Sequence, residues 1–291
     1  MIQRLWQSGA AMQFAQSRTA AAALVALLLI IASAVLAPWI SPQNPYDLAQ
    51  LDILDARLPP GSPSADGAVY LLGTDDQGRD MLSGIFYGLR TSLVVGVSST
   101  LVALALGIAL GLAAAWFGGW VDALIMRIAD IQLSFPSILI ALVLLALLGQ
   151  GLDKIVIALV AVQWAYYART VRGTALAERR KEYIDSALTL ALSPARIVLR
   201  HLLPNCLPPL VIVATVQVAA AITLEATLSF LGLGLPITEP SLGLLIANGY
   251  AYMLAGNYWI SFFPGLALLA TIVCINLVAD QLRDVLNPRL A

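Results

Sequence analysis

The sequence predicts an all-α polytopic membrane protein with six transmembrane helices. Three observations carry that expectation. Of 291 residues, 60% are hydrophobic and 11% charged, with a mean hydropathy of +0.86, too apolar for a soluble domain of this size. Long uncharged runs recur along the chain, separated by short polar stretches. The charge between them is sorted: one connecting segment is acidic and another is basic, the asymmetry that sets orientation in a membrane.

Residues 1–18 carry Arg4 and Arg18 and no acid, and read as a cytoplasmic N-terminus. Residues 19–40 carry no charge and are long enough for the first span. Ala32-Ser33-Ala34 resembles a signal-peptidase site, but the apolar run is long for a signal and an uncleaved helix is favoured. Residues 41–90 change character. They hold seven acids (Asp47, Asp52, Asp55, Asp66, Asp75, Asp76, Asp80) against Arg57, Arg79 and Arg90, and read as an extracellular or periplasmic loop in which Gln43 is an exposed, neutral position. The turn-rich stretch from Leu72 to Asp80 lacks the calcium-loop register, so no metal is implied there.

The second span is placed at 91–116. Within it Ser99, Ala103, Gly107, Gly111 and Ala115 recur every four residues, a small-residue stripe that lets a neighbouring backbone approach closely. The sequence does not say whether that neighbour is in this chain or a partner. After the Gly118-Gly119 turn an amphipathic run carries Arg127 and Asp130, three apart and placed to pair. The third span is expected at 131–148 with a kink at Pro136, the fourth at 155–171, the fifth at 207–233 and the sixth at 258–279. Residues 281–291 form a cytoplasmic tail. Six spans put both termini in the cytoplasm, the acidic loop outside and the basic segment inside.

The basic segment, Arg169 to Asn205, holds seven of the 16 Lys and Arg residues and the only histidine, His201. Its pattern is helix, break, helix. Ser193-Pro194 reads as an N-cap with proline at the first helical position, and Pro204 as a stop. Tyr183, Ala187 and Leu190, with Ile184 and Leu188 beside them, form an apolar ridge at helical spacing. Such a hairpin suits docking into a groove on another protein, with Ala187 allowing close approach. On composition alone, an ordinary positive cytoplasmic loop is the simpler reading.

Glu182-Tyr183, Asp185-Ser186-Ala187, Arg196-Ile197 and Arg200-His201-Leu202-Leu203-Pro204-Asn205 together resemble the EAA loop of ABC-importer permeases, in the dipeptide, oligopeptide and nickel branch. The stretch before the core, Leu72 to Asp80, and the runs Gly118 to Asp122 and Ser134 to Pro136 are similar to that branch too. The resemblance implies the type I ABC-importer permease fold over 91–280, with 172–205 as the loop that couples to an ATPase subunit. It implies a second permease, two ABC ATPase subunits that hold ATP and Mg, an extracytoplasmic substrate-binding protein, and residence among the lipids of the bacterial inner membrane. Peptides are the modal cargo; a nickel chelate, a glutathione-like compound or an opine stays open. The family has Glu-Ala-Ala where this chain has Asp185-Ser186-Ala187, and glycine where it has Ala191. Glycine there would adopt a positive φ freely, whereas alanine would be strained or the bend ordinary.

Little else carries chemistry. Neither lysine, Lys154 or Lys181, lies in a phosphate-binding loop; if ATP is used, another subunit binds it, and no enzyme or cofactor site is expected here. Cys206 and Cys274 lack ligand-like spacing, and the net charge of −1 gives no reason to expect nucleic acid. Glu225, flanked by Thr223 and Thr227 in the fifth span, is costly in lipid unless bonded or wet. It is read as structural or lining a path or gate. The rival is a coupling-ion site in a gradient-driven secondary transporter, which calls for more intramembrane charge than one acid.

Overall fold

The computed structural model describes residues 14 and 17–286, apart from 65, 66, 68 and 237. Asp66, Arg4 and residues 287–291 of the expected tail therefore lie outside the described residues. Nine helices are used below: α1 (Arg18–Ile40), α2 (Met81–Phe117), α3 (Gly119–Leu133), α4 (Ser137–Leu148), α5 (Leu152–Arg179), α6 (Glu182–Thr189), α7 (Pro194–Phe230), α8 (Leu242–Tyr250) and α9 (Trp259–Leu286). A two-residue hairpin, β1 (Ser62–Pro63) and β2 (Val69–Tyr70), is antiparallel and sits in the segment between α1 and α2.

Among the described helices, α1, α2, α7 and α9 are each long and apolar enough to cross a membrane, and the pair α3–α4 raises the number to five. The expected six counts α5 as well. That helix is 28 residues, about 42 Å at 1.5 Å per residue, but charged at both ends. The expected third span is not one kinked rod. α3 and α4 meet at 94°, because Pro136 has no N–H to extend the ladder and biases Phe135 away from helix.

α5 is the centre of the bundle and packs on α2, α3, α4 and α7. Ile155, Ala158, Leu159, Val162, Ala165, Ala168, Val171 and Ala175 line its buried faces. The small-residue stripe of α2 meets this helix, which answers the question left by the sequence: the neighbour is in this chain. A Cβ on Gly107 would lie 2.8 Å from the Trp164 carbonyl oxygen, and one on Gly111 2.6 Å from that of Ala168. Ser99, Ala103 and Ala115 are buried on the same face. Side-chain amides add directional ties in a setting where apolar burial gives little orientation. Gln163 Nε2 donates to the Gln217 carbonyl at 3.0 Å, and Gln132 Nε2 to the Ala161 and Val162 carbonyls at 2.6 and 2.8 Å.

α2 begins at Met81, ten residues before the expected boundary, because Asp80 caps it and accepts from the Ser83 amide at 2.8 Å. Arg90, whose charge places the expected boundary after it, sits on an exposed face of the helix. The described residues of the acidic segment form a clasp. Thr74, Asp75, Arg79 and Asp80 are buried. Asp75 Oδ1 accepts from the amides of Gln77 and Arg79 at 2.8 and 2.9 Å, and Trp259 Nε1 of α9 donates to the Thr74 carbonyl at 3.1 Å. Burial pushes the Asp75 carboxyl up to about 6, against the pull of those two amides. Gln43 is tied as well: its Oε1 accepts from the Asp80 amide at 2.7 Å, and its amide donates to Ser83 Oγ at 3.1 Å.

Candidate functional site

The basic segment forms a hairpin seated on the ends of α2, α5 and α7. Eight residues make α6, too few for an isolated helix in water, so its packing holds it. Ile184 and Ala187 are buried against Ile197, Leu202 and Cys206 of α7, with Leu112, Ala115, Val171 and Ala175 in the same apolar cluster. The apolar ridge read from the sequence is therefore two faces. Ile184 and Ala187 turn into the chain, and Ala187, at 4% exposure, offers nothing to a partner. Leu188 and Leu190, 50% and 74% exposed, turn outward together with Glu182, Asp185, Ser186 and Thr189.

The break between α6 and α7 has a defined form. The Leu192 amide donates to the Ala187 carbonyl at 3.2 Å and the Ala191 amide to that of Leu188 at 2.9 Å, the paired bonds of a Schellman motif. That motif needs a left-handed residue, and Ala191 supplies it at φ 52°. Of the two possibilities the sequence left, the strained one is realised. Ala191→Gly should relieve about 0.5–1 kcal/mol of Cβ strain net of glycine's entropy. Amide protection at Leu192 should then rise about two- to fivefold in hydrogen exchange. Weaker protection in the variant would refute this account of the turn.

Two sequence readings of the hairpin are corrected. Ser193 holds the N-cap backbone conformation before Pro194, but its side chain makes no capping bond. Pro204 does not stop the helix. Residues Val198–Leu202 form a π-helical turn, with the Leu203 amide donating to the Val198 carbonyl. The ladder passes through that turn and runs on to Phe230, absorbing the missing proline donor locally. Arg196 and Arg200 are exposed on this stretch and His201 is half-buried.

Much of the basic charge is used inside the chain. Arg172 grips Asp122 of α3 in a two-pronged pair at 2.5 and 2.6 Å. Arg169 pairs with Asp130, so Asp130 is not partnered by Arg127 as the spacing implied. Arg179 Nη1 donates to the carbonyls of Ala115 and Trp116 at 2.8 and 2.9 Å, placing a cation on the open C-terminal end of α2. It also lies over the Trp116 ring, 5.2 Å from its centroid. The acids and the α2 terminus lie far off in sequence, so only the fold brings them to these arginines.

Glu225 is fully buried. Ser92 Oγ of α2 donates to its Oε2 at 2.9 Å, and Ser229 Oγ to its Oε1 at 2.8 Å. Both donors belong to this chain. The serines had no period or motif to flag them; four residues separates Ser229 from Glu225, but Ser92 is 133 away. Thr223 and Thr227 bond back to their own helix, at 2.8 Å each to the carbonyls of Ala219 and Thr223, and do not join Glu225. In this conformation Glu225 ties α2 to α7.

Residues 107–291 match the family described as binding-protein-dependent transport system inner membrane component, and residues 4–60 match the N-terminal transmembrane domain of oligopeptide transport permease C. A putative peptide transport system permease of Brucella suis biovar 1 is 41% identical over 267 residues, 92% of this chain and 86% of that protein. The di/tripeptide transport system permease DppC of Pseudomonas aeruginosa is 37% identical over 289 residues, 99% of this chain and 92% of that one. The glutathione transport system permease GsiD of Pectobacterium atrosepticum is 35% identical over 278 residues, 96% and 89% of the two chains. Among solved structures, a chain of the MetNI methionine ABC transporter in inward facing conformations superposes with a TM-score of 0.57 at 21% identity, over 71% of this chain and 98% of that one. This chain is a multi-pass inner-membrane transport subunit with the ABC-importer permease fold, and it belongs to the binding-protein-dependent transport system inner membrane component family.

Proposed function

We propose that this chain is one of two permease subunits of an ATP-driven importer of di- and oligopeptides. ATP and Mg bind on two partner ATPase subunits, and an extracytoplasmic binding protein delivers the cargo. The carrying observation is the hairpin: α6 is rooted in the chain by Ile184 and Ala187 and presents Leu188, Leu190, Glu182 and Asp185 outward. A short helix with a buried root and an exposed part-apolar face is built to receive force from a partner and pass it to α5 and α7. The peptide cargo is supported by the names of several relatives. The gradient-driven alternative is disfavoured, because both Glu225 oxygens are already bonded to serines within the chain.

The test is uptake of labelled dipeptide into proteoliposomes holding the chain with its partner permease and ATPases. Import should require both ATP and the binding protein. Import driven by an ion gradient without ATP would sink the proposal.

Orientation follows from charge. The acidic clasp lies outside, the hairpin and both termini inside. In a background lacking Cys206 and Cys274, Leu54→Cys, at a position 87% exposed, should react with an impermeant thiol reagent from the outside of intact cells. Reaction only after the cytoplasmic face is opened would reverse the topology.

A further inference from the structure

Glu178 lies in the last turn of α5, Tyr183 in the first turn of α6, and Asn205 in α7 just past its π-helical turn. Their side chains form one continuous run of hydrogen bonds. The Tyr183 hydroxyl donates to Glu178 Oε2 at 2.7 Å and accepts from Asn205 Nδ2 at 3.1 Å. Asn205 Nδ2 also donates to the His201 carbonyl, inside the π-helical turn, at 2.7 Å. Lys181 Nζ covers the second Glu178 oxygen at 2.5 Å. A single phenol oxygen therefore joins three elements.

The apolar seat beneath cannot do the same work. Packing of Ile184 and Ala187 on Ile197 and Leu202 holds α6 close to α7 but is non-directional and tolerates rotation. Rotation matters here, because the base of α7 is its weakest stretch: a π-helical turn followed by Pro204, Pro208 and Pro209. A push on α6 that merely rolled it would be absorbed there.

We propose that Tyr183 is a positioning residue for coupling, whose hydroxyl fixes the angle of the hairpin against α5 and the base of α7 so that hairpin movement reaches the span. The proposal rests on the reading of the hairpin as the docking element. Burial, and then the bond to Glu178, push the Tyr183 hydroxyl up to about 12, so it remains a donor across the working pH range.

The test uses the whole complex in proteoliposomes, with dipeptide imported and ATP hydrolysed measured together. Tyr183→Phe keeps the ring and removes only the hydroxyl. Dipeptide imported per ATP should fall about fivefold, the equivalent of one hydrogen bond. Asn205→Ala should do the same, and the double variant should be no worse than either, since both break one chain. Glu178→Gln retains an acceptor for the phenol and should keep most of the coupling, whereas Glu178→Ala should not. Spin labels at Ser186→Cys and Leu207→Cys, in the background lacking Cys206 and Cys274, should give a broader distance distribution in Tyr183→Phe. Unchanged dipeptide per ATP in Tyr183→Phe overturns the proposal. If the wild-type complex imports no dipeptide, the function proposed above fails instead. The label distances, which need neither cargo nor ATP, then decide: equal widths overturn the positioning role.

Discussion

Gly111→Leu should remove the folded chain from the membrane. The stripe on α2 lies so close to α5 that even the first side-chain carbon has no room: at Gly111 it would stand 2.6 Å from the Ala168 carbonyl oxygen and 2.7 Å from Val171 Cβ. Backbone cannot step aside as a flexible side chain does. Overpacking of a core costs about 1–3 kcal/mol where side chains give way, and this site lies at the upper end or beyond. Gly107→Leu should act alike, since its added atoms would meet Tyr167 and the Trp164 carbonyl. Membrane yield and melting in detergent are the readouts. Gly265→Leu on α9 is the control, where an added Cβ meets nothing within 4 Å. Normal yield in Gly111→Leu would mean that α2 and α5 do not pack as described.

Leu190→Glu should abolish coupled transport while leaving the chain folded. Leu190 projects from the hairpin and contributes little to its seat, so a charge there is cheap in the free chain and costly in an apolar groove. A penalty of about 3 kcal/mol at the docked surface would cut occupancy roughly 100-fold, and cargo-stimulated ATP hydrolysis with it. Ala187→Trp, aimed at the close approach that the sequence suggests at this position, tests something else: with Ala187 in the apolar seat, tryptophan would unseat α6 from α7 before any partner arrived. Gln43 is equally unsuitable as a neutral control, because it holds Asp80 and Ser83. Leu54→Glu in the outer segment serves better, at a position that is 87% exposed. Wild-type uptake in Leu190→Glu would remove this face from the coupling surface.

The legible parts of this protein are those written in periodicity or in backbone chemistry. Small residues every fourth position gave the close face of α2, and Ser193-Pro194 gave the start of α7. Alanine at 191 in place of glycine posed a question with two answers, and the backbone gives one of them. What was not legible depended on partners distant in the chain. Proline at 204 reads as a stop because the rule assumes an α-helical ladder, and a π-helical turn changes that assumption. Arg127 and Asp130 satisfy a spacing rule, but Asp130 has a better partner on α5. The turn formers of the acidic segment suggest looseness; they are the residues a tight clasp requires, since at Gly78, φ 77°, a side chain would collide with the Asp52 carbonyl. For the same reason α6 showed one apolar ridge where the fold uses two opposed faces.

The bond from Trp259 to Thr74 joins residues 185 apart in the chain. During synthesis α1 and α2 emerge long before α9 exists, so the outer clasp has to wait with one anchor missing. Its closure can follow only the arrival of the last helix. The ordering entropy of so long a loop is met once, at the end, when the rest of the bundle has already brought both ends together. A chain that stalls or is cut before Trp259 therefore keeps an outer segment without this latch, its Thr74 carbonyl lacking the indole donor and open to water. The clasp thus marks a finished molecule, and an antibody or protease that reads its open form would count incomplete chains separately from complete ones.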